Sequence, residues 1–205
     1  MKLYLIRHGQ TDWNLQGKIQ GSVNIPLNTT GRHQAELMAE AMDERPVKKI
    51  FTSTLTRAVE TAKAIGTRQG VELYLMDGLR EVRYGAWEGL NWEEIAARYP
   101  EEFNKWNENP VEAAPPGGET QKEVMCRVIG AAKGILEMTH GTEDVAVVSH
   151  GAALAFLMVY FLQGKTPEHE IIVENASIST VSYDPATECF TVEEMNDTSH
   201  LEKDS

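Results

Sequence analysis

The chain has 205 residues, of which 41% are hydrophobic and 24% charged, and its 31 acidic and 19 basic side chains give a formal net charge of −12. This composition is typical of a globular protein and argues against wholesale disorder. The acidic balance argues against a nucleic-acid partner and against a membrane-surface partner, since both need basic patches. A small anionic ligand stays open, because the charge of one pocket can oppose that of the whole chain.

The first part of the sequence alternates short apolar runs with helical patterns. A polar, glycine-punctuated stretch over residues 9–30 predicts a long loop, and Thr54 is a candidate cap for the second helix. The predicted elements are strands over residues 3–6, 49–53 and 71–75, with helices over 30–44 and 54–69.

The second part continues this alternation. Thr120 and Glu123 form a capping-box pattern ahead of a long helix, and the valine-rich run at 144–149 is typical of a strand covered on both faces. The predicted elements are short helices over 91–99 and 101–107, a helix to residue 139, a strand over 144–149, a helix over 152–162 and a hairpin over 178–183 and 189–195.

Strands that alternate with helices predict an α/β fold, a three-layer sandwich with a mostly parallel central sheet. We expect residues 1–196 to form a single domain in which residues 77–118 are a helical insertion over one end of the sheet. Residues 197–205 are expected to be a frayed tail.

The cysteines and the apolar runs bear on the cellular compartment. Cys126 and Cys189 stand in no metal or redox spacing and are predicted to be reduced thiols in or near the core. The apolar run before Arg7 is too short for a signal-peptide core, and no stretch approaches the ~20 apolar residues of a membrane span. We therefore expect a cytoplasmic protein.

Polar side chains follow several of the predicted strands. In open parallel sheets, ligands bind outside the carboxyl ends of the strands. Arginine suits a phosphate through planar paired donors, imidazole can act as a nucleophile, and a carboxylic acid can protonate a leaving oxygen. Together these residue types predict phosphoryl transfer through a phosphohistidine. The residues concerned are Arg7, His8 and Gly9 after the first strand, Arg57 after the second, Glu81 after the third, and His150 and Gly151 after the valine-rich strand.

Each of these residues taken alone has a structural interpretation. A histidine after a strand is often a hydrogen-bonded structural residue, Arg7 could close a sheet edge through an ion pair, and Glu81 could be a solvated salt-bridge partner. A metal site is chemically conceivable, but two neighbouring guanidiniums would repel the cation. That site would use His8, His150, Asp77 and Glu81. No role is assigned to His33, His140, His169 and His200.

The string Leu-Ile-Arg-His-Gly-Gln-Thr at 5–11 resembles the signature of the histidine phosphatase superfamily, which includes phosphoglycerate mutase-like enzymes. The resemblance continues in the same order over nearly the whole chain. It runs through Trp13-Asn14, Gln20-Gly21, Pro26-Leu27, Gly31, Gln34-Ala35, residues 52–62, Leu79-Arg80-Glu81, residues 85–89, residues 116–119 and residues 147–151.

This resemblance implies that His8 attacks phosphorus and that Glu81 acts as acid and base. It implies no metal and no cofactor, and a small phosphorylated metabolite as partner. The substrate-binding residues that it implies are Arg7, Asn14, Gln20, Gly21, Arg57, His150 and Gly151.

Three functions stay open at this point. The segment between Gly89 and Gly117 is shorter than the insertion of the mutases that the chain resembles, which favours a metal-independent phosphomonoesterase. The alternatives are a phosphoglycerate mutase that uses a 2,3-bisphosphoglycerate primer and a catalytically silent phospho-ligand-binding module. The sequence most resembles the α-ribazole phosphatase and broad-specificity phosphatase branch, but Asn24 and Ala155 depart from its pattern. A homodimer through the terminal hairpin or the helix over 152–162 is also open.

Overall fold

A computed structural model of the chain describes residues 1–163 and 171–204. His169 lies outside the described residues. Among the described residues no helix is long and apolar enough to cross a membrane.

The core of the fold is one six-stranded sheet. Its strands are β1 (Lys2–Arg7), β2 (Lys49–Thr52), β3 (Leu73–Leu75), β4 (Val145–Ser149), β5 (Ile178–Asp184) and β6 (Cys189–Asp197). The spatial order is β3-β2-β4-β1-β5-β6. Strands β3, β2, β4 and β1 pair in parallel, whereas β5 and β6 pair antiparallel as the predicted hairpin.

Seven α-helices surround the sheet within the described residues. They are α1 (Asp12–Leu15), α2 (Thr29–Ala41), α3 (Thr56–Gln69), α4 (Trp92–Arg98), α5 (Pro100–Glu108), α6 (Gln121–Thr139) and α7 (Gly151–Phe161). Short 3₁₀ helices occur at Met42–Glu44, Asp77–Leu79, Gly85–Trp87 and Ser199–Asp204.

Alternate side chains of the central strands enter two separate cores. Leu3 and Leu5 of β1 pack with α6 and α7, while Tyr4 and Ile6 pack with α2 and α3. This alternation follows from the period of two in a strand, and apolar side chains on both faces require a cover on each. The predicted three-layer α/β sandwich with a mostly parallel sheet is confirmed.

Of the two helix caps that the sequence predicts, one is correct and one is wrong. Thr120 caps α6 in a capping box with Glu123, as expected. Thr54 does not cap α3, because the residue before that helix is Leu55 and no side chain caps it. The hydroxyl of Thr54 instead donates to the carboxylate of Asp77 at 2.9 Å, which ties the end of β2 to the segment after β3.

The predicted loop over 9–30 contains one helical turn that periodicity did not indicate. Helix α1 begins after Thr11, whose side chain accepts from the backbone N–H of Asn14 in a reciprocal capping box. Four residues are too few for an apolar period, so only the capping pattern could have indicated this turn.

The expectation of a frayed tail from residue 197 is wrong. Strand β6 extends to Asp197, and a 3₁₀ helix follows over Ser199–Asp204. His200 is only 3% exposed and lies 3.0 Å from the carbonyl of Ala176 through its Nε2. The contact between His200 and Ala176 joins residues 24 positions apart, so the anchoring of this segment is a tertiary effect.

The expected position of the cysteines is also wrong, since Cys126 and Cys189 are both exposed free thiols. Cys126 lies on α6 away from the stripe that packs on the sheet, and Cys189 begins the edge strand β6. The general tendency of free cysteine to be buried is overridden here by each residue's position on its element.

Candidate active site

The carboxyl ends of β1, β4 and β2 bring the predicted site residues together. Residue 8 follows β1 and residue 150 follows β4, and the backbone N–H of His8 donates to the carbonyl of Ser149 at 3.0 Å. Since these strands are parallel neighbours, both histidines emerge at the same edge. Their ring centroids lie 5.1 Å apart with the planes at 61°.

Hydrogen bonds fix one tautomer of His8. Its Nδ1 lies 2.6 Å from the carbonyl of Gly9, which can only accept, so Nδ1 carries the proton. Its Nε2 therefore holds the lone pair, and the Nε–H of Arg57 points at this atom from 3.2 Å. Burial, followed by the charges of Arg57 and Arg7, holds the pKa of His8 well below its usual value. The imidazole is thus neutral, and its Nε2 lone pair accepts from Arg57.

Arg57 is the central cation of the site and is fully buried. Its Nε–H is shared between His8 Nε2 and His150 Nδ1, each at 3.2 Å. Its two terminal nitrogens donate to the carbonyls of Val23 at 2.7 Å and Gly21 at 2.8 Å. Burial lowers the pKa of Arg57 to about 10, and Glu81 opposes this shift. The guanidinium therefore remains charged at neutral pH.

His150 is the second buried imidazole. Its Nδ1 accepts from Arg57, so its Nε2 carries the proton and donates to Ser53 Oγ at 2.7 Å. Burial and the charge of Arg57 hold the pKa of His150 well below its usual value. The site therefore consists of two neutral imidazoles and a charged guanidinium between them.

Arg7 supplies the second guanidinium at the end of β1. One terminal nitrogen donates to the carbonyl of Val173 at 2.6 Å. Its Nε is buried and has no hydrogen-bond partner among the described residues. Burial lowers the pKa of Arg7, while Glu81 and Glu174 oppose that shift. A buried donor without a partner is costly unless a ligand satisfies it, so this Nε–H is available to an anion.

The carboxylate of Glu81 lies at the N-terminus of α7. Its oxygens accept from the backbone N–H groups of Ala152 at 3.2 Å and Ala153 at 3.1 Å, and from that of Val82 at 2.8 Å. A carboxylate is favoured there by the exposed N–H groups and by the helix dipole. Glu81 is thus held by backbone donors beside the cleft, which differs from a solvated salt-bridge partner.

Arg127 of α6 holds the turn that carries Glu81. It donates to the carbonyls of Arg80 at 2.6 Å, Gly78 at 3.1 Å and Glu81 at 3.1 Å. Its Nε also donates to the carboxylate of Glu119 at 2.9 Å. One guanidinium therefore holds three backbone carbonyls of the turn at residues 78–81.

Gly21 contributes a backbone carbonyl to the site, and Gly151 leaves room for the side chain of Arg7. Gly21 has φ +50°, a left-handed conformation that favours glycine, and its carbonyl accepts from Arg57. A β-carbon on Gly151 would lie 3.4 Å from the guanidinium carbon of Arg7. Both residues line the cleft, as their predicted role requires.

Asn14 and Gln20 are also part of the cleft wall. The Oδ1 of Asn14 accepts from the backbone N–H of Thr11 at 3.1 Å and from Asn175 Nδ2 at 3.3 Å. The Oε1 of Gln20 is buried and lacks a partner among the described residues. The side-chain amide of Gln20 is therefore free to meet a ligand.

Gly9 and Gly31 allow two backbone segments to touch beside the nucleophile. A β-carbon on Gly9 would lie 2.3 Å from the carbonyl oxygen of Gly31, and one on Gly31 would lie 2.0 Å from that of Gln10. The first turn of α2 therefore packs directly against the loop after His8.

Several residues of the site were not predicted from the sequence. Asn175 donates to the carbonyl of His8 at 3.0 Å, and Ser53 orients His150. Tyr84 and Lys18 complete the cleft wall. Asn175 is 167 residues from His8, so no local pattern could have indicated it. Ser53 lies directly after β2, at the strand-end position that led to the other residues.

The cleft that these side chains enclose has a volume of about 220 Å³. Arg7, His8, Arg57 and Glu81 all line it. Among the residues that the structure describes, no three His, Cys, Asp or Glu side chains are placed to share a metal ion. The arrangement places a neutral imidazole, two guanidiniums and a carboxylate around one small cleft.

A profile of the histidine phosphatase superfamily (branch 1) matches residues 3–198. The chain belongs to the histidine phosphatase superfamily. The resemblance that the sequence motifs predict is confirmed, and so is the prediction of an enzyme of this superfamily.

Curated relatives carry names of two activities. "Phosphoserine phosphatase 1" of Hydrogenobacter thermophilus is 35% identical over 73% of this chain and 71% of its own length. "Uncharacterized phosphatase PhoE" of Bacillus subtilis is 34% identical over 96% of this chain and 95% of its own. "Probable phosphoglycerate mutase GpmB" of Photorhabdus laumondii is 31% identical over 98% of this chain and 95% of its own length.

Solved structures of histidine phosphatases share the fold. The mycobacterial glucosyl-3-phosphoglycerate phosphatase in complex with VO3 has a TM-score of 0.82 and 29% identity, covering 96% of this chain and 99% of its own. The α-ribazole phosphatase of Shigella flexneri has a TM-score of 0.86, with 96% of each chain covered. At 24% identity, this comparison supports a shared fold and nothing further.

Proposed function

We propose that this histidine phosphatase hydrolyses small phosphomonoesters without a metal, through a phosphohistidine on His8. The observation that carries the proposal is the single tautomer of His8. Its Nδ1–H is held by the carbonyl of Gly9, so the lone pair on Nε2 faces the cleft beside Arg57. A neutral imidazole with its lone pair on the nitrogen beside the cleft is the form that a nucleophile requires.

In the first step the lone pair of His8 Nε2 forms a bond to phosphorus, and the bond from phosphorus to the ester oxygen breaks. The proton of the Glu81 carboxylic acid passes to that oxygen, and a neutral alcohol leaves. The dianionic ester, neutral imidazole and neutral acid thus become a phosphohistidine of net charge −1 and a carboxylate. Charge and protons balance without a further reactant.

In the second step water attacks phosphorus and the N–P bond breaks. The carboxylate of Glu81 accepts one proton of the water, and His8 Nε2 recovers its lone pair as inorganic phosphate forms. Glu81 therefore alternates between acid and base, which the backbone donors of Ala152 and Ala153 allow by holding it in one place.

Arg7 and Arg57 supply the positive charge that the phosphoryl oxygens need. Both guanidiniums are anchored to backbone carbonyls, so their donors are oriented before substrate binds. Preorganised donors of this kind are worth roughly 3–4 kcal/mol each in a transition state. They take the place that a metal ion holds in other phosphoryl-transfer sites.

The test of this proposal is a phosphoenzyme trap. We expect that a ³²P-labelled phosphomonoester, quenched in base, leaves base-stable and acid-labile label on the protein. His8→Ala should carry no label, whereas His33→Ala, on the exposed face of α2, should carry as much as the unchanged protein. Undiminished label in His8→Ala would overturn the assignment. Phosphate or vanadate binding with no hydrolysis across a substrate panel would establish a silent binding module.

A phosphoglycerate mutase is the second candidate, because a relative named for that activity aligns with 98% of the chain. The two reactions share the first step and differ in the acceptor of the phosphoryl group. Label in an isomerised phosphoglycerate that depends on a 2,3-bisphosphoglycerate primer would establish the mutase. Label in inorganic phosphate would establish the hydrolase.

A further inference from the structure

A second cavity of about 350 Å³ adjoins the phosphoryl cleft. Tyr84 and Ala152 line both spaces, so the two adjoin at these residues. The cavity lies between α7, α5 and the segment before α6. A volume near 350 Å³ is at the lower end of the range for small-molecule sites.

The wall of this cavity is apolar and aromatic. Beyond Tyr84 and Ala152 it includes Val82, Trp106, Val124, Ala155 and Phe156. The ring of Trp106 is held by those of Trp87 and Trp92, each 5.7 Å away between centroids. This side of the cavity is therefore formed by a packed aromatic cluster.

Charge at the wall is limited to one carboxylate among the described lining residues. Glu119 lines the cavity, and its oxygens accept from Arg127, which takes up much of their hydrogen-bonding capacity. Tyr84 is an uncharged phenol, since burial raises its pKa. No lysine or arginine is among these residues to receive an anionic group.

The position of Glu81 determines which part of a substrate meets this cavity. Its carboxylate, bonded to the N–H of Ala152, must stand beside the leaving oxygen to protonate it. The carbon attached to that oxygen then lies on the side of Ala152 and Tyr84. The rest of the alcohol continues from there into the apolar cavity.

We propose that this cavity is a subsite for the leaving alcohol and that it selects phosphomonoesters whose alcohol is apolar, an alkyl or arylalkyl chain. This inference rests on the proposed phosphatase function and adds the substrate class. An alcohol with a carboxylate close to the ester is disfavoured, because it would enter an apolar space beside Glu119. Ala155, which departs from the pattern of the α-ribazole branch, leaves the space open.

The experiment uses a series of primary alkyl phosphates from ethyl to hexyl with the unchanged protein. The alcohols are equally basic, so the chemical step is constant and only the buried apolar surface grows. We expect kcat/KM to rise about fourfold per methylene, or roughly 200-fold across the series. Glycerol 1-phosphate and phosphoserine, which add polar groups at similar size, are expected to fall at or below the ethyl ester.

Ala155→Phe fills the cavity and serves as the matched variant. We expect it to flatten the series while ethyl phosphate is hydrolysed within about twofold of the original rate. Ala97→Phe, on the exposed face of α4 outside the cavity, should keep the full chain-length dependence. The series with the unchanged protein is decisive by itself if Ala155→Phe does not fold.

The outcomes separate the two proposals. A flat series with phosphate released from every ester, or faster hydrolysis of phosphoserine than of hexyl phosphate, would overturn the apolar subsite and leave the phosphatase in place. Release of no phosphate from any ester, together with no label on His8, would overturn the phosphatase itself.

Discussion

The phosphoryl cleft and the apolar cavity beside it are built in different ways. The cleft lies at the carboxyl ends of the parallel strands, and Arg57 on its wall is fully buried and hydrogen bonded. The cavity is formed by the segment between β3 and α6 together with one face of α7, and its wall has few polar groups. In the proposals above, the sheet edge carries the chemistry and the segment between β3 and α6 selects the alcohol.

Related proteins are named for different substrates. Relatives named for phosphoserine and for glucosyl-3-phosphoglycerate share the fold with this chain. A common scaffold hosts different substrates when the residues outside the reacting centre change. The predictions below probe the two regions separately, beginning with the group at the centre of the cleft.

Arg57→Lys is expected to have the largest effect. A lysine cannot reach both imidazoles and also satisfy the carbonyls of Gly21 and Val23, as the guanidinium does. We expect kcat to fall roughly 10²–10³-fold by the same factor for ethyl and hexyl phosphate, because Arg57 acts on the phosphoryl group alone. Arg68→Lys, an exposed arginine paired with Asp43, is the control. A loss that varies with the alcohol would contradict this division between the regions.

Glu81→Gln should slow turnover according to the leaving group. Alkyl phosphates need a proton donor and should lose about 10²–10⁴-fold in kcat, whereas nitrophenyl phosphate, with its stable leaving anion, should change little. Rates of both esters are compared with those of Glu101→Gln, an exposed carboxylate of the first turn of α5. Equal slowing of the two esters would contradict the acid role of Glu81.

Arg127→Lys is expected to give a weaker form of the same pattern. One ammonium cannot replace the donors that hold the carbonyls of Gly78, Arg80 and Glu81, so the carboxylate is displaced without being removed. We expect a loss of about tenfold to 100-fold for alkyl phosphates and a smaller loss for nitrophenyl phosphate. Arg98→Lys, exposed and paired with Glu94, is the matched control. A uniform loss for both esters would indicate a structural role only.

The smallest effect is a dependence of stability on pH that arises in the cleft. Burial, followed by the charge of Arg57, lowers the pKa of His8 and His150 in the folded state. Below the unfolded pKa near 6.5, the unfolded chain binds protons that the folded chain does not. The free energy of unfolding should therefore fall as pH falls, by up to about 1.4 kcal/mol per pH unit for each histidine.

Urea unfolding between about pH 7.5 and 5.5 measures this slope. His150→Gln should reduce the slope by the share of one proton. A stability that rises on acidification, or a slope unchanged in His150→Gln, would contradict the prediction.

The sequence predicted the residues of the phosphoryl cleft, but it did not predict the apolar cavity. Arg7, Arg57 and His150 could be placed at one edge because each follows a strand with a clear apolar run, and parallel strands end at the same side. The support that holds these residues was not predictable in the same way.

Asn175 reaches the carbonyl of His8 from the far end of the chain, and the anchoring of the tail by His200 reverses the expectation from its composition. Arg127 looks like an ordinary polar position of a helix, and only the packing of α6 on the turn at 78–81 reveals its contacts. The cavity depends on how α5 and α7 face each other, which no local pattern specifies. These contacts and the shape of the cavity thus depend on long-range packing, which periodicity and motifs do not specify.

The hydrogen bond from Asn175 to the carbonyl of His8 has a consequence for the order in which the protein becomes active. Val173, Asn175 and Ala176 bind the backbone and the Arg7 guanidinium at this turn, and they are synthesised more than 160 positions after residues 8 and 9. A nascent chain can pair β1 with β4 and still lack these contacts. The nucleophile is therefore seated only when β5 closes on β1, so a partly synthesised chain exposes no working phosphatase to the metabolites around it.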